Sequence, residues 1–338
     1  MPGGRQMASL NTSYMGIELK NPVIAGASAF TAKMDTIKKI ADAGAGALVC
    51  ASLFEEQIQL ERLKLEEDTD KLKYRNPEMI SIFPDLEHAG PAEHLLWVRK
   101  AKESVDIPVI ASLNAVTRET WIDYAVRLEE TGADGLELNF YAVPSDFDVS
   151  GSDVEEEQLS IIREVIGRVS IPVSAKLSIH YANPLNFIRK LDETGVRGFV
   201  LFNRFFQPDI DIEKESPIFP FNFSVERDAR LPLRYAGLLY SKIKADICSS
   251  TGVLYAKEAI KMLLAGATCV QVASTLFTNG IGHVKTMLEA IEHWMDEKGY
   301  ADLASFRGKL SREKSPDPWA YTRAQYVKLL INPKLPSA

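Results

Sequence analysis

Eight apolar, β-branched runs of this 338-residue chain each end on a polar residue that a core would not ask for. These are Ser28, Ser52, Asn114, Asn139, Lys176, Asn203, the Ser250-Thr251-Gly252 turn and Ser274. Serine and asparagine commonly close strands and open turns, so any one of them alone says little. Taken around one ring they define a polar pocket. Lys176 stands out, because an ammonium inside the run PVSAKLSI needs an anionic partner, and burial without one costs several kcal/mol. That partner is either a ligand or a structural carboxylate such as Glu137. At Thr251-Gly252 and Ala273-Ser274, small residues let backbone N–H groups approach an anion, with helix starts close behind. The set offers an anion grip on one side, a cation in the middle and amide donors around it. A phosphorylated ligand with a flat polar ring would satisfy it. His180, directly after one run, is either a proton-transfer or ligand contact at the pocket rim or a solvated loop histidine.

The elements that carry these residues repeat. A helix-like stretch ends at glycine, a small residue follows, and an apolar run begins; this happens at Gly44, Gly132, Gly195 and Gly266. Glycine there supplies the left-handed conformation that stops a helix. Two more strands open on proline, in VDIPV at 105–109 and VSIPV at 169–173, where no ladder hydrogen bond is lost. The runs predict strands over 22–28, 47–53, 108–115, 135–142, 172–178, 198–205, 245–250 and 269–275. Between them Ile37, Ile40 and Ala41, or Ile161, Ile162 and Val165, fall on one helical face. Strands so uniformly apolar are parallel and covered outside. Eight βα units predict an α/β fold of the (β/α)8 TIM-barrel type, with long loops after strands 2 and 6. A doubly wound sheet would want a Gly-rich turn after its first strand, and neither G-x-G-x-x-G nor G-x-x-x-x-G-K-[ST] occurs.

The two long stretches, 54–90 and 206–230, follow strands and so belong to the face where such barrels build active sites. They read as lids or as decoration. Residues 10–310 are expected to form a single barrel, and 311–338 a C-terminal extension packing on it through Trp319, Tyr321 and Tyr326.

Composition excludes several classes. Lys plus Arg number 39 against 46 Asp plus Glu, a net charge of −7 that repels nucleic acid. Cys50, Cys248 and Cys269 lie in apolar runs without a C-x-x-C pair, so neither a disulfide framework nor a zinc site is expected. No metal is expected from the histidine spacing either. With no apolar stretch near 18 residues, the chain is expected to be cytoplasmic and free of membranes.

These residues together resemble the class 1 dihydroorotate dehydrogenases and the wider FMN-dependent dihydropyrimidine dehydrogenase group. The resemblance rests on NPVIAGAS at 21–28, Glu137-Leu138-Asn139, Ala175-Lys176-Leu177, Asn203, STGV at 250–253 and GATCVQVAST at 266–275, and spans roughly 10–310. It implies FMN across the top of the barrel, a homodimer and a place in pyrimidine metabolism. Gly26, Ala27, Ser28 and Ser52 would then line the cofactor. Asn114 and Asn139 would hydrogen-bond its ring or the substrate, and Thr251, Gly252, Ala273 and Ser274 would hold its phosphate. Lys176 would stabilise the negative charge of reduced flavin, while Asn203, with Arg204 beside it, would reach the substrate.

The departures are as informative. Ala142 stands where the family carries its Cys or Ser base, leaving Ser145 or Tyr141 as candidates. The family's substrate-contacting lysine after strand 2 is replaced by Ala51. The expected reaction is hydride transfer to flavin from a small cyclic substrate. The alternatives are a dihydroorotate dehydrogenase using Ser145 as base, and an inactive FMN-binding or partner protein.

Overall fold

The computed structural model of the chain describes residues 8–59, 91–141, 146–205, 207–218, 220 and 223–331. The apolar runs become eight parallel strands: β1 (Val23–Ala25), β2 (Ala47–Val49), β3 (Val109–Asn114), β4 (Gly135–Asn139), β5 (Val173–Leu177), β6 (Gly198–Leu201), β7 (Asp246–Ser250) and β8 (Cys269–Val272). Neighbours in sequence pair in space, β8 pairs with β1, and the ring closes into a (β/α)8 barrel. Helices α1 (Met34–Asp42), α2 (Pro91–Ser104), α3 (Arg118–Glu129), α4 (Gly151–Arg168), α5 (Pro184–Asp192), α6 (Arg230–Leu239), α7 (Ala256–Ala265), the short α8 (Ser274–Thr278) and α9 (His283–Lys298) follow the strands. All four repeat glycines sit at positive φ, from +85° at Gly132 to +132° at Gly266, which is the helix-stopping conformation their spacing implied.

Two alternating sets of strand residues build two cores. Outward residues such as Leu136, Leu138, Ala175 and Leu177 meet Ile37, Ile162, Phe187 and Leu263 of the helices. Inward residues Ile24, Ala47, Val49, Ile110, Val200, Cys248 and Cys269 form a separate cluster inside the barrel. Into its N-terminal end inserts a hairpin that the strand count missed, Thr12–Tyr14 paired with Ile17–Leu19. Its turn residues, Met15 and Gly16, have φ of 58° and 82°, the geometry of a tight two-residue connection. The Met15 N–H donates to Asp246 Oδ2 at 2.9 Å, fixing the plug to the start of β7.

Several predicted strands run long. The second breaks after Val49 and resumes as Leu53–Phe54 beside β3, and the sixth ends at Leu201 instead of 205. The loop after β6 carries an antiparallel hairpin, Asp209–Asp211 with Ser216–Ile218. Residues 60–90, most of the long loop after β2, lie outside the described residues. At the C-terminal end Tyr321 packs against α6, where a Cβ on Gly237 would stand 2.2 Å from its ring. Trp319 and Tyr326, expected to pack as well, are 65% and 61% exposed, so this segment is anchored by Tyr321 and by Arg234, which donates to the Tyr321 carbonyl. Among the described residues, no helix is long and apolar enough to cross a membrane, and no group of three His, Cys, Asp or Glu side chains could hold a metal ion.

Candidate active site

Inward positions turn polar as each strand approaches its C-terminal end. On β4 the inward residues are Gly135, Glu137 and Asn139; on β5 they are Ser174 and Lys176; on β8 they are Cys269 and Gln271. Parallel pairing sets Asn139 beside Lys176. The buried Lys176 ammonium donates to Gln271 Oε1 at 2.9 Å and stands 3.5 Å from Glu137 Oε1. Gln271 Nε2 in turn donates to Glu137 Oε2 at 2.7 Å. Of the two partners expected for this lysine, the structural carboxylate Glu137 is observed, and the ammonium also lines a cavity. The amide of Gln271 is the element the sequence reading passed over. It arches over the barrel axis because Gly26 makes room, where a Cβ would stand 2.8 Å from Gln271 Cγ.

Beside Lys176 runs a chain of carboxamides. Asn203 Nδ2 donates to Asn139 Oδ1 at 2.6 Å, and Asn114 Nδ2 donates to the Asn139 carbonyl at 2.7 Å. Asn203 is placed by its own N–H, bonded to the Leu177 carbonyl at 2.7 Å. Ser52 Oγ is hydrogen-bonded to Ser112 Oγ at 2.8 Å. Tyr141 lies edge-on to Phe205, whose other neighbour is the His180 ring at 5.0 Å. His180 itself is exposed. Ser145 and Ala142 lie outside the described residues.

Above Lys176 opens a cavity of about 520 Å³. Of the residues proposed to bind a cofactor, Ala27, Ser28, Lys176, Thr251, Gly252, Ala273 and Ser274 line it, as do Asn203 and Arg204. Gly26, Ser52, Asn114, Asn139 and Tyr141 are not in that lining. At its β7–β8 side Gly252 (φ 77°) approaches α6 so closely that a Cβ would stand 2.2 Å from the Ala229 nitrogen. No residue with a side chain fits there. Ser224, another residue missed from sequence, returns from the long loop after β6. Its hydroxyl accepts from Gly252 N–H at 3.1 Å and donates to Ser274 Oγ at 2.9 Å. Next to it α8 is preceded by Ala273, which provides no side-chain cap for the first amides of that helix.

These features suit the group that the resemblance implies. A buried cation at the floor, the buried Ser28 hydroxyl with no partner among the described residues, uncapped amides at the rim and the phenyl rings of Phe202 and Phe223 match a flat, phosphorylated, charge-accepting ring. On the opposite rim Glu55 reaches over β3 and accepts from the Thr117 N–H at 2.7 Å and the Thr117 hydroxyl at 3.0 Å. Burial alone would raise its pKa, but these bonds, with those from Val116 and Gln59, hold the carboxyl below its ordinary range.

Comparison with known proteins points the same way. The family model described as dihydroorotate dehydrogenase matches residues 86–295. The catalytic subunit of dihydroorotate dehydrogenase B (NAD(+)) from Thermoplasma volcanium is 27% identical over 309 residues, covering 89% of this chain and 98% of that protein. Its counterpart from Methanocaldococcus jannaschii is 24% identical, covering 86% and 94%. The chloroplastic dihydropyrimidine dehydrogenase (NADP(+)) of Arabidopsis thaliana is 23% identical, covering 88% of this chain and 76% of that protein.

Proposed function

The chain belongs to the dihydroorotate dehydrogenase family, a group of flavin-dependent CH–CH oxidoreductases, and from that premise we propose that it binds FMN and oxidises a small cyclic substrate other than dihydroorotate. The observation that carries this reading is Lys176, a buried ammonium held by Gln271 and Glu137 and facing a cavity rimmed by backbone amides.

Bound flavin would supply a two-electron acceptor for the hydride of a substrate C–H bond. The chain's own residues do the rest. Lys176 places positive charge where negative charge develops on reduction, and Gln271 fixes its position, so little reorganisation is needed. Ser28 would line the cofactor, and Thr251, Gly252, Ala273 and Ser274 would hold its phosphate. The Asn139–Asn203 pair presents amide donors and acceptors to a ring that carries both. Phe202 and Phe223 exclude water from the cavity. The proton from the adjacent substrate carbon passes by way of the Ser145 or Tyr141 hydroxyl, which releases its own proton to solvent. With Ala51 and Ala142 at the positions of the family's lysine and base, one charged contact to dihydroorotate and the base that serves it are both replaced.

The test starts with the visible spectrum of the purified protein, followed by heat release and identification of the flavin. FMN in the supernatant is expected. A colourless protein that also refuses added FMN would end this reading. Anaerobic addition of dihydroorotate is expected to leave the flavin oxidised; rapid bleaching would restore the family's usual substrate.

A further inference from the structure

A second cavity, of about 530 Å³, adjoins the first across the segment after β6. Phe202, Asn203, Arg204, Phe205 and Thr251 line both, so the two lie side by side along that segment. The second differs sharply in charge: Arg204, Arg227, Arg230 and Arg234 face it, and Asp228 is its only carboxylate among the described residues. Asp228 cannot neutralise that set. Its Oδ2 stands 3.9 Å from Arg204 Nε and also accepts the Val225 N–H at 2.9 Å. Arg234 is held by neutral acceptors, the Tyr321 carbonyl and Gln325 Oε1. The guanidinium groups of Arg227 and Arg230 make no hydrogen bond or ion pair among the described residues.

In a chain of net charge −7, a concave wall with four arginines is a local reversal of the molecular field. Guanidinium groups grouped in this way match the oxygens of a phosphate, which they bind in pairs. The flavin phosphate has its own place on the β7–β8 side of the first cavity, so it does not account for this one.

We propose that the second cavity is an anion subsite, and that a ligand of the flavin reaction carries a phosphate seated by Arg227 and Arg230 while its ring passes Asn203 into the first cavity. The inference rests on the functional reading above and narrows it to phosphorylated cyclic amides.

The experiment titrates flavin-loaded protein by calorimetry with 5,6-dihydrouridine, with its 5′-monophosphate and with inorganic phosphate. The monophosphate is expected to bind at least about tenfold more tightly than the nucleoside, with the advantage shrinking as salt is added. Arg227→Ala/Arg230→Ala should abolish the advantage, and Arg227→Lys/Arg230→Lys should keep part of it, with thermal unfolding confirming that both variants fold. Equal binding of nucleoside and monophosphate, binding of neither, or a preference that survives the alanine pair would overturn the subsite. Titrations of oxidised and dithionite-reduced protein separate its two sources. Preference of the oxidised protein for the reduced nucleotide marks the phosphate as the substrate's, and preference of the reduced protein for uridine 5′-monophosphate marks it as the acceptor's. Because binding is read without turnover, selective phosphate binding by protein that never takes up flavin would keep the subsite and sink the redox reading. Flavin-loaded protein indifferent to the phosphate would do the reverse.

Discussion

The two ends of the barrel are built from the same strands and could hardly differ more. At the N-terminal end the inward residues are small or apolar: Ala47, Gly135, Gly198 and Cys269, filled by Tyr14 and Met15 of the hairpin. The fit is tight enough that a Cβ on Gly198 would stand 2.7 Å from the Tyr14 hydroxyl oxygen. One or two pleats further along, the inward residues are Glu137, Lys176, Gln271, Asn139 and Asn114, and a cavity opens. One end is a packed plug that contributes stability. The other is a polar network whose members bond chiefly to one another and which faces a cavity.

If that division is right, the largest effects come from separating stability from chemistry at the polar end. Lys176→Met should slow flavin reduction by roughly two to three orders of magnitude, the usual weight of a preorganised charge. It should also cost about 3–5 kcal/mol of stability, because Glu137 is left buried without its cation. Adding Glu137→Gln should recover most of the stability, read by urea denaturation, and none of the rate, read by stopped-flow. A double variant that recovers both would mean that the lysine is only structural.

The wall between the two ends provides the next test. His94 on α2 is buried, its Nε2 has no hydrogen-bond partner among the described residues, and burial pushes its pKa down to about 4. The unfolded chain takes up that proton near pH 6.5, before the folded one does. Stability is therefore intact above pH 6.5 and falls as the pH drops toward 4, by about 3 kcal/mol over that range. His94→Leu should flatten this limb of the stability profile. A profile unchanged by the substitution would show that the histidine is hydrated in solution.

At the plugged end, Gly198→Ala should cost roughly 1–3 kcal/mol by overpacking against Tyr14 and Met15. The flavin spectrum of the protein that remains folded should not change. A shifted spectrum would show that the two ends are mechanically coupled.

This contrast also explains what could be read from sequence. Strand positions were legible because stop-glycines and apolar runs recur at a fixed phrase, and Gly44, Gly132, Gly195 and Gly266 all have the conformation that phrase demands. Lys176 was legible because an ammonium in an apolar run needs a partner. Gln271 was not, since a glutamine in CVQVAS reveals its inward direction only against Gly26, 245 positions away in the chain. Ser224 was hidden for a similar reason: it reaches Gly252 and Ser274 from a loop whose path no local pattern encodes. The hairpin at 12–19 had a signal, the alternation around Met15-Gly16, too short to separate from a loop. Trp319 and Tyr326 misled because aromatic residues near a terminus suggest packing, while the observed anchor uses Tyr321 and Arg234.

The smallest effect lies on the rim opposite the β7–β8 side of the cavity. Glu55, just after the short strand Leu53–Phe54, takes up the N–H groups of Val116 and Thr117 that precede α3. A carboxylate does this better than an amide, because the acceptor charge faces the N-terminal end of a helix dipole. Glu55→Gln keeps one acceptor oxygen but loses the charge, so it should cost only about 1 kcal/mol at neutral pH. Its depressed pKa gives the sign of the pH dependence. The stabilisation is present above the ordinary glutamate pKa and disappears as the pH falls through the lowered folded value, so wild type and variant should converge in acid. Thermal unfolding at pH 7 and pH 3 reads the difference. Equal stabilities at pH 7 would mean that this rim holds the barrel end no more firmly than solvent does, leaving the polar end supported by the Lys176 network alone.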